Sequence, residues 1–442
     1  MQPIQVVIDE TGAAHSLLQR IGVGGQGEVW LTEGGRRIVK LLNSRANADA
    51  MRRQFAFVRR LELAGLHVAR PIAVLRPPHV GYVAEFLDEM IPISELRRVP
   101  SEESMQWHIN TGGLRRRLRL LAHAGEALMG LHAKGVIYAD ISDRNVFVSK
   151  KMGATEAWLI DLDNLSHDSD PKKAIYTPGY GAPEVVNGTA GCTSLSDAWA
   201  FAVLVWQTLT LTQHPFVGDL VSDGDPDEME VQAFEGKIPW VGHSTDDSNR
   251  CSAGIQPKHA LAGKLYELAR RTFEDGVVDR GKRPGVSEWV ERLHLAADQT
   301  VTCPGCGGSY FANEPCCPWC EDLPPFIATI RIDFWQPNHG IVGKTLGRIP
   351  LTSEGLVLSR RVTEGLTGVV ARDGHLELKL VDKGISVSAL PGHEAWLVPV
   401  GKANEARYSI AGRSRVISRD GWIVFFKTLD QPQWVLVVGR TN

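Results

Sequence analysis

The chain has 442 residues, of which 43% are hydrophobic and 22% charged, with a formal net charge of −3. That length suits roughly two to four domains, and the composition is that of an ordinary soluble globular protein. So small a net charge gives no bulk electrostatic case for a nucleic-acid or membrane partner. The opening stretch MQPIQVVIDETG has no basic region followed by an apolar core, so no signal peptide is expected. The longest apolar segment, AWAFAVLVWQTLTL (198–211), is too short to span a bilayer and reads as a buried helix. The basic run RRRLR (115–119) is expected as a solvated helix face. Five of the seven cysteines fall between Cys303 and Cys320, a clustering that suits metal binding in a reducing compartment, so a cytoplasmic location is expected.

In chain order, residues 16–88 are rich in β patterns, with one helical insert, ADAMRRQFAFVRRLELAG (48–65). Residues 89–298 are mostly helical, carried by LRRRLRLLAHAGEALMGLHAKG, the buried helix, AGKLYELARRTFED and SEWVERLHLAA, with 212–257 expected as loop. The cysteine cluster follows, then EDLPPF, whose double proline suits a linker. From 326 to 442 the runs ATIRIDFW, GVVARDG, LELKLVD, EAWLVPV, WIVFFKTL and WVLVVGR are separated by Gly, Asp and Pro turns. They predict a small barrel or sandwich of six to eight strands, with Trp335, Trp396, Trp422 and Trp434 as core or contact aromatics.

IGVGGQGEVWL holds Gly22, Gly24 and Gly27 in G-x-G-x-x-G spacing, followed by Val29. Dinucleotide-binding folds use the same glycines, but there they must open a helix. Here EVWLTEGGRRIVKLL alternates like a strand, turns at Glu33-Gly34-Gly35 and continues as a second strand carrying Lys40. A glycine flap lets the backbone approach phosphates closely, and Lys40 can hold them as a point charge. An incidental glycine-rich hairpin is the bland alternative.

In GVIYADISDRNVFV, Asp140 and Asn145 have D-x-x-x-x-N spacing, and WLIDLDN supplies Asp161 after an apolar strand. Phosphoryl transfer needs such a trio: one carboxylate to orient the attacking hydroxyl and take its proton, and a second with an amide oxygen to hold Mg²⁺. Asp140 fits the first role and Asn145 with Asp161 the second. Further on, Thr177-Pro178-Gly179-Tyr180-Gly181-Ala182-Pro183-Glu184 closely resembles the T-P-x-Y-x-A-P-E segment of eukaryotic-type (Hanks-type) serine/threonine protein kinases. Asp197 opens a stretch similar to the family's D-x-W-x-x-G helix, and Arg283-Pro284 matches the arginine that pairs with the glutamate of A-P-E.

The resemblance covers about residues 16–298 and implies an α+β bilobal protein-kinase fold, with an N-terminal extension (1–15), an N-lobe (16–87) and a C-lobe (88–298). It implies ATP at Gly22, Gly24, Gly27, Val29, Lys40, Glu85 and Leu87, and magnesium or manganese at Asn145 and Asp161. Asp140, Lys40 and Arg144 become the catalytic candidates, with Thr177, Glu184, Asp197 and Arg283 forming the peptide platform and its supports. The substrate it implies is a Ser or Thr hydroxyl on a protein. By position, Ser166, Ser169 and Thr177 are the candidates for autophosphorylation, with Thr177 expected to be structural.

The chain departs from the family in several places. H-R-D is Tyr138-Ala139-Asp140, which removes the usual partner of a phosphorylated activation loop. The lysine two residues after the catalytic aspartate is Ser142, and Arg144 offers a replacement charge beside Asn145. D-F-G is Asp161-Leu162-Asp163, which adds a carboxylate that would help hold metal or cap a turn. The helix glutamate that should pair with Lys40 is missing, leaving Gln54 and Glu62 as candidates. These departures keep open an alternative, a pseudokinase that binds nucleotide and holds partners.

CPGC (Cys303, Cys306) and CPWC (Cys317, Cys320) form C-x₂-C-x₁₀-C-x₂-C. Two such knuckles complete a tetrahedral Cys₄ shell for structural Zn²⁺ within a small ribbon (299–325), followed by an all-β domain (326–442). Cys316 is expected to be a spectator. A kinase, a zinc ribbon and a β-rich tail in this order resemble the bacterial kinases of clusters that also encode a PP2C-type phosphatase and a von Willebrand A protein. That resemblance implies those two as partners.

Overall fold

The computed structural model describes residues 5–24, 27–43, 48–168, 174–212, 214–365, 369–401 and 407–439. Ser169 lies outside them. The chain divides into two compact units, one of Met1–Val99, Leu120–Gln256 and Tyr266–Val290, the other of Pro100–Arg119, Pro257–Leu265 and Glu291–Asn442.

The first unit opens with an antiparallel sheet in the order Val6–Ile8, Ala14–Gly24, Gly27–Thr32, Arg37–Leu42, Gly81–Glu85, Ala73–Val74. Alternation sorts its side chains, and Val7, Leu17, Val39, Leu75 and Val83 bury together on one face. The other face takes the helix Ala48–Arg60, whose Phe55 meets Tyr82 edge-on at 4.8 Å between ring centroids. Lys40 sits in the middle of this sheet, its backbone opposite Val29 on one side and Tyr82 on the other.

The helical part of the unit is built around Ser194–Thr210, whose side chains are buried from Ser196 to Thr210. Thr193 starts it with a reciprocal capping box to Ser196. Trp199 and Trp206 then pack against Phe216, Trp240 and Phe273, with Trp199 edge-on to Phe273 at 5.4 Å. The segment expected as loop, 212–257, instead contains the helices Asp219–Asp223 and Pro226–Phe234. The second has a proline in its first turn, where the missing N–H costs nothing, and ends on Phe234 packed edge-on to His214. Short antiparallel pairs, Val136–Ile137 with Ser166–His167 and Val146–Ser149 with Ala157–Leu159, present the catalytic loop.

In the second unit, Thr300–Thr302 pairs with Ser309–Phe311 beside the cysteine cluster. The tail forms two antiparallel sheets. One runs Gly340–Leu351, Ala328–Gln336, Gln433–Val438, Trp422–Phe425, Trp396–Pro399, Tyr408–Ser409, and the other Leu356–Ser359, Gly374–Val381, Gly384–Ala389, Ser414–Ile417. A single core from both, including Ile332, Ile349, Leu376, Val387, Leu397 and Leu436, makes them a sandwich. That is ten strands among the described residues, more than the six to eight expected, because several are short and poorly patterned. Within the run GVVARDG, Val369–Arg372 is a 3₁₀ turn and not a strand. All four tail tryptophans pack partly buried against the cores of the sandwich.

The basic run is also not a solvated face. Arg117 is fully buried and Arg116 nearly so, while Arg115 donates to the Thr300 hydroxyl at 2.7 Å and its carbonyl at 2.8 Å. Arg117 donates to the Gly113 carbonyl and lies over the Trp107 ring, so packing rather than water takes up these side chains. No helix among the described residues is long and apolar enough to cross a membrane.

Candidate active site

The glycine flap is carried by the antiparallel pair Ala14–Gly24 and Gly27–Thr32, with Gly24 opposite Gly27. A Cβ on Gly27 would fall 2.0 Å from the Leu41 carbonyl oxygen, so glycine is dictated there by the neighbouring strand. At Gly22 the nearest atom to such a Cβ is 3.6 Å away, and at Gly24 nothing lies within 4 Å. The protein's own packing does not demand glycine at those two positions, and close approach of a phosphate to the backbone would. Glu85 and Leu87 stand at the exit of Gly81–Glu85, the former exposed and the latter half-buried.

Asp140 is presented by a loop held from below. The Asp197 carboxylate accepts from the backbone N–H of Tyr138 at 2.7 Å and of Ala139 at 2.8 Å, which fixes Ala139 in a left-handed conformation (φ 67°). Tyr138 is buried where the family has histidine, and its hydroxyl donates to the Ile160 carbonyl, just before Asp161. Asn145 donates through Nδ2 to the Asp140 carbonyl at 2.9 Å, which leaves its amide oxygen free of that bond. The Asn145 carbonyl in turn accepts from Ile160 N–H at 3.0 Å, tying the Asp161 segment to the same loop.

The Thr177 hydroxyl donates to Asp140 at 2.7 Å. Burial, opposed by that bond, raises Asp140 above the ordinary carboxylate value. Below it, Tyr180 donates to Gln207 at 2.7 Å, and Arg97 joins Tyr180 to Asp143 of the catalytic loop. Glu184 and Arg283 form a two-pronged ion pair at 2.7 Å for each prong, and Arg283 also lies over the Trp199 ring. Although burial opposes it, the Arg283 hydrogen bonds hold Glu184 below its usual value. Arg144 is exposed beside Asn145.

Lys40 departs from the expected arrangement. Its ammonium bonds to Asp161 and, at 2.6 Å, to Asp163. Neither helix candidate reaches it: Gln54 donates to the Leu165 carbonyl at 2.6 Å, and exposed Glu62 accepts from Ala64 N–H at 3.2 Å. Burial favours the neutral amine, yet Asp163 and Asp161 together raise Lys40 above its ordinary value. Leu162, in place of the family's phenylalanine, is fully buried. The sequence offers Asp163 as a metal helper or a turn cap; the signal for a third role is that the helix Ala48–Arg60 supplies no acid to the lysine.

Oxygen donors from Asn145 and the quarter-exposed Asp161 suit a hard ion such as Mg²⁺. In the second unit, the Sγ atoms of Cys303, Cys306, Cys317 and Cys320 all lie within 4.8 Å of one another. Two of the pairs stand at 3.5 and 3.7 Å, close to the roughly 3.8 Å separation of thiolates around tetrahedral zinc. Cys316 is not in the group.

A flap, a lysine and two loops of carboxylate and amide on a two-part scaffold define a nucleotide-binding phosphotransferase fold. The family model for the protein kinase domain matches residues 17–268, more than half of the chain, and the chain belongs to that family. Serine/threonine-protein kinase pkn2 of Myxococcus xanthus is 28% identical over 235 residues, covering 50% of this chain and 26% of that protein. Serine/threonine-protein kinase Pkn1 of the same organism is 28% identical over 209 residues, covering 44% and 28%. Protein kinase C delta type of Homo sapiens is 32% identical over 155 residues, covering 34% and 20%. The chain therefore spans about a quarter of the length of these relatives.

Proposed function

We propose that the chain is a Mg²⁺-ATP-dependent serine/threonine protein kinase of bacterial signalling, acting on a partner protein and on itself. The observation that carries this reading is the Thr177 hydroxyl bound at 2.7 Å to Asp140, with Asn145 bonded to the same loop. Asp140 is thereby aimed at the position where a Ser or Thr hydroxyl of a peptide would lie. It orients that oxygen and takes its proton as the oxygen bonds to the γ-phosphorus and the bond to the ADP oxygen breaks. Burial, by raising Asp140, brings it closer to the affinity such a proton acceptor needs. Lys40 holds the α- and β-phosphates, and Gly22 and Gly24 admit their oxygens to the flap. Asn145 and Asp161 would hold magnesium, which supplies neutralisation of the triphosphate charge. Arg144 adds a surface charge near the γ-phosphate.

The four cysteines, Cys303, Cys306, Cys317 and Cys320, would hold structural zinc, closing the shell so that no position is left for chemistry. Together with the β sandwich they would hold signalling partners, with a PP2C-type phosphatase to reverse the phosphorylation and a von Willebrand A protein as candidates. The test is incubation of the full chain with γ-labelled ATP and Mg²⁺, followed by phosphoamino-acid analysis. Phosphoserine or phosphothreonine formed by the wild type and not by Lys40→Met supports the proposal. Nucleotide binding with no transfer, to itself or to a protein acceptor, replaces it with the scaffold alternative.

A further inference from the structure

A buried ammonium without a carboxylate is costly, so Lys40, with its side chain 9% exposed, must draw a partner from some element of the fold. The helix Ala48–Arg60 has no acid to give. Its one acidic residue, Asp49, is 85% exposed and pairs with Arg52. Gln54 is spent on the Leu165 carbonyl, and Glu62, past the helix end, caps Ala64. Two carboxylates reach the lysine, and they differ in what else they can do. Asp161 is 25% exposed and open to the cleft, while Asp163 is 2% exposed and enclosed. Asp163 also stands where the family carries glycine, a position that ordinarily contributes no charge.

We propose that Asp163 is the positioning residue for Lys40, standing in for the missing helix glutamate. This inference rests on the kinase reading and deepens it. The lysine that grips the phosphates and the aspartate assigned to metal are then set by one short segment, since Asp161 and Asp163 flank Leu162 at the start of the 3₁₀ turn Leu162–Asn164. The helix acts on the lysine at one remove, through Gln54 and the Leu165 carbonyl and through Phe55 packed on Tyr82. Swinging the helix outward would therefore reach Lys40 through the 161–165 segment and not by withdrawing a carboxylate of its own. Control instead falls on whatever moves the 161–165 segment.

The experiment compares the wild type, Lys40→Met and Asp163→Asn full chains in label transfer from ATP, with ATP and Mg²⁺ each varied. Asp163→Asn is expected to lower kcat by about tenfold or more while KM for ATP stays within about threefold and the Mg²⁺ dependence is unchanged. Transfer by Asp163→Asn within about twofold of wild type overturns the proposal. So does a loss regained by raising Mg²⁺, which would make Asp163 a metal ligand. Equal transfer by wild type and Lys40→Met is a different failure, that of the kinase reading itself. Should Asp163→Asn not fold, a crystal structure of the wild type with Mg²⁺ and a non-hydrolysable ATP analogue decides. Lys40 Nζ within about 3.2 Å of the Asp163 carboxylate upholds the assignment, and an Asp163 turned onto the metal refutes it.

Discussion

In the nucleotide cleft, the oxygen donors come from two loops, Asp140 with Asn145 on one and Asp161 on the other, and are aligned by distant supports. Asp197 holds the backbone under Asp140, and Asn145 ties down the segment before Asp161. In the cysteine cluster, four thiols come from two tight turns within eighteen residues and need only the short strand pair Thr300–Thr302 and Ser309–Phe311 behind them. The first arrangement keeps donors half-exposed and spreads the cost of holding them over a whole domain. The second is closed and local. A site that must admit a nucleotide and a hydroxyl is built in the first way, and a staple in the second.

The largest effect that would break this contrast is at the staple. Purified protein is expected to hold one zinc per chain by elemental analysis, and Cys317→Ser to lose it. Structural zinc supplies on the order of 10 kcal/mol of apparent binding energy, so 299–325 should become open to proteolysis in that variant. Retention of zinc by Cys317→Ser, or none in the wild type, would remove the closed-shell half of the comparison.

Next is the support of the peptide platform. Glu184→Gln leaves Arg283, 1% exposed, without its charge partner and should cost about 3 kcal/mol of unfolding free energy, read by denaturant titration. Because Glu184 is held below its ordinary value of 4.5, its contribution is present above that pH and fades as pH falls through the lowered value. The gap between wild type and variant should therefore narrow in acid. A gap that widens would contradict the pairing.

Smaller effects sharpen the cleft itself. Thr177→Val removes the hydroxyl bonded to Asp140 and is expected to lower kcat about tenfold, near 1.4 kcal/mol, with the melting temperature little changed. Arg144→Ala should cost only about twofold, since an exposed charge in water interacts weakly. A loss by Arg144→Ala as large as that of Thr177→Val would make Arg144 a true substitute for the absent lysine.

Most of the cleft was legible because its motifs have fixed spacing and order: flap, Lys40, Asp140 with Asn145, Asp161, then Thr177 to Glu184. The cysteines were legible for the same reason at shorter range. The carboxylate beside Lys40 was not, because Asp163 is 123 residues from it and its direction depends on a 3₁₀ turn that no pattern announces. Arg115 to Arg117 misled for a related reason. Three adjacent arginines read as a wet face, but hydrogen bonds to Thr300, Gly113 and Thr111 and the Trp107 ring take them inside. The sandwich was legible as β and not in strand count, since runs as short as Tyr408–Ser409 carry no period to detect.

The most direct test is label transfer from γ-labelled ATP by the wild-type and Asp140→Asn chains, alongside their affinities for ATP. A proton acceptor aimed at the attacking hydroxyl predicts about a thousandfold less transfer by Asp140→Asn, with ATP binding and melting temperature preserved. Equal labelling by the two chains, or ATP bound by the wild type with no label transferred, would contradict it.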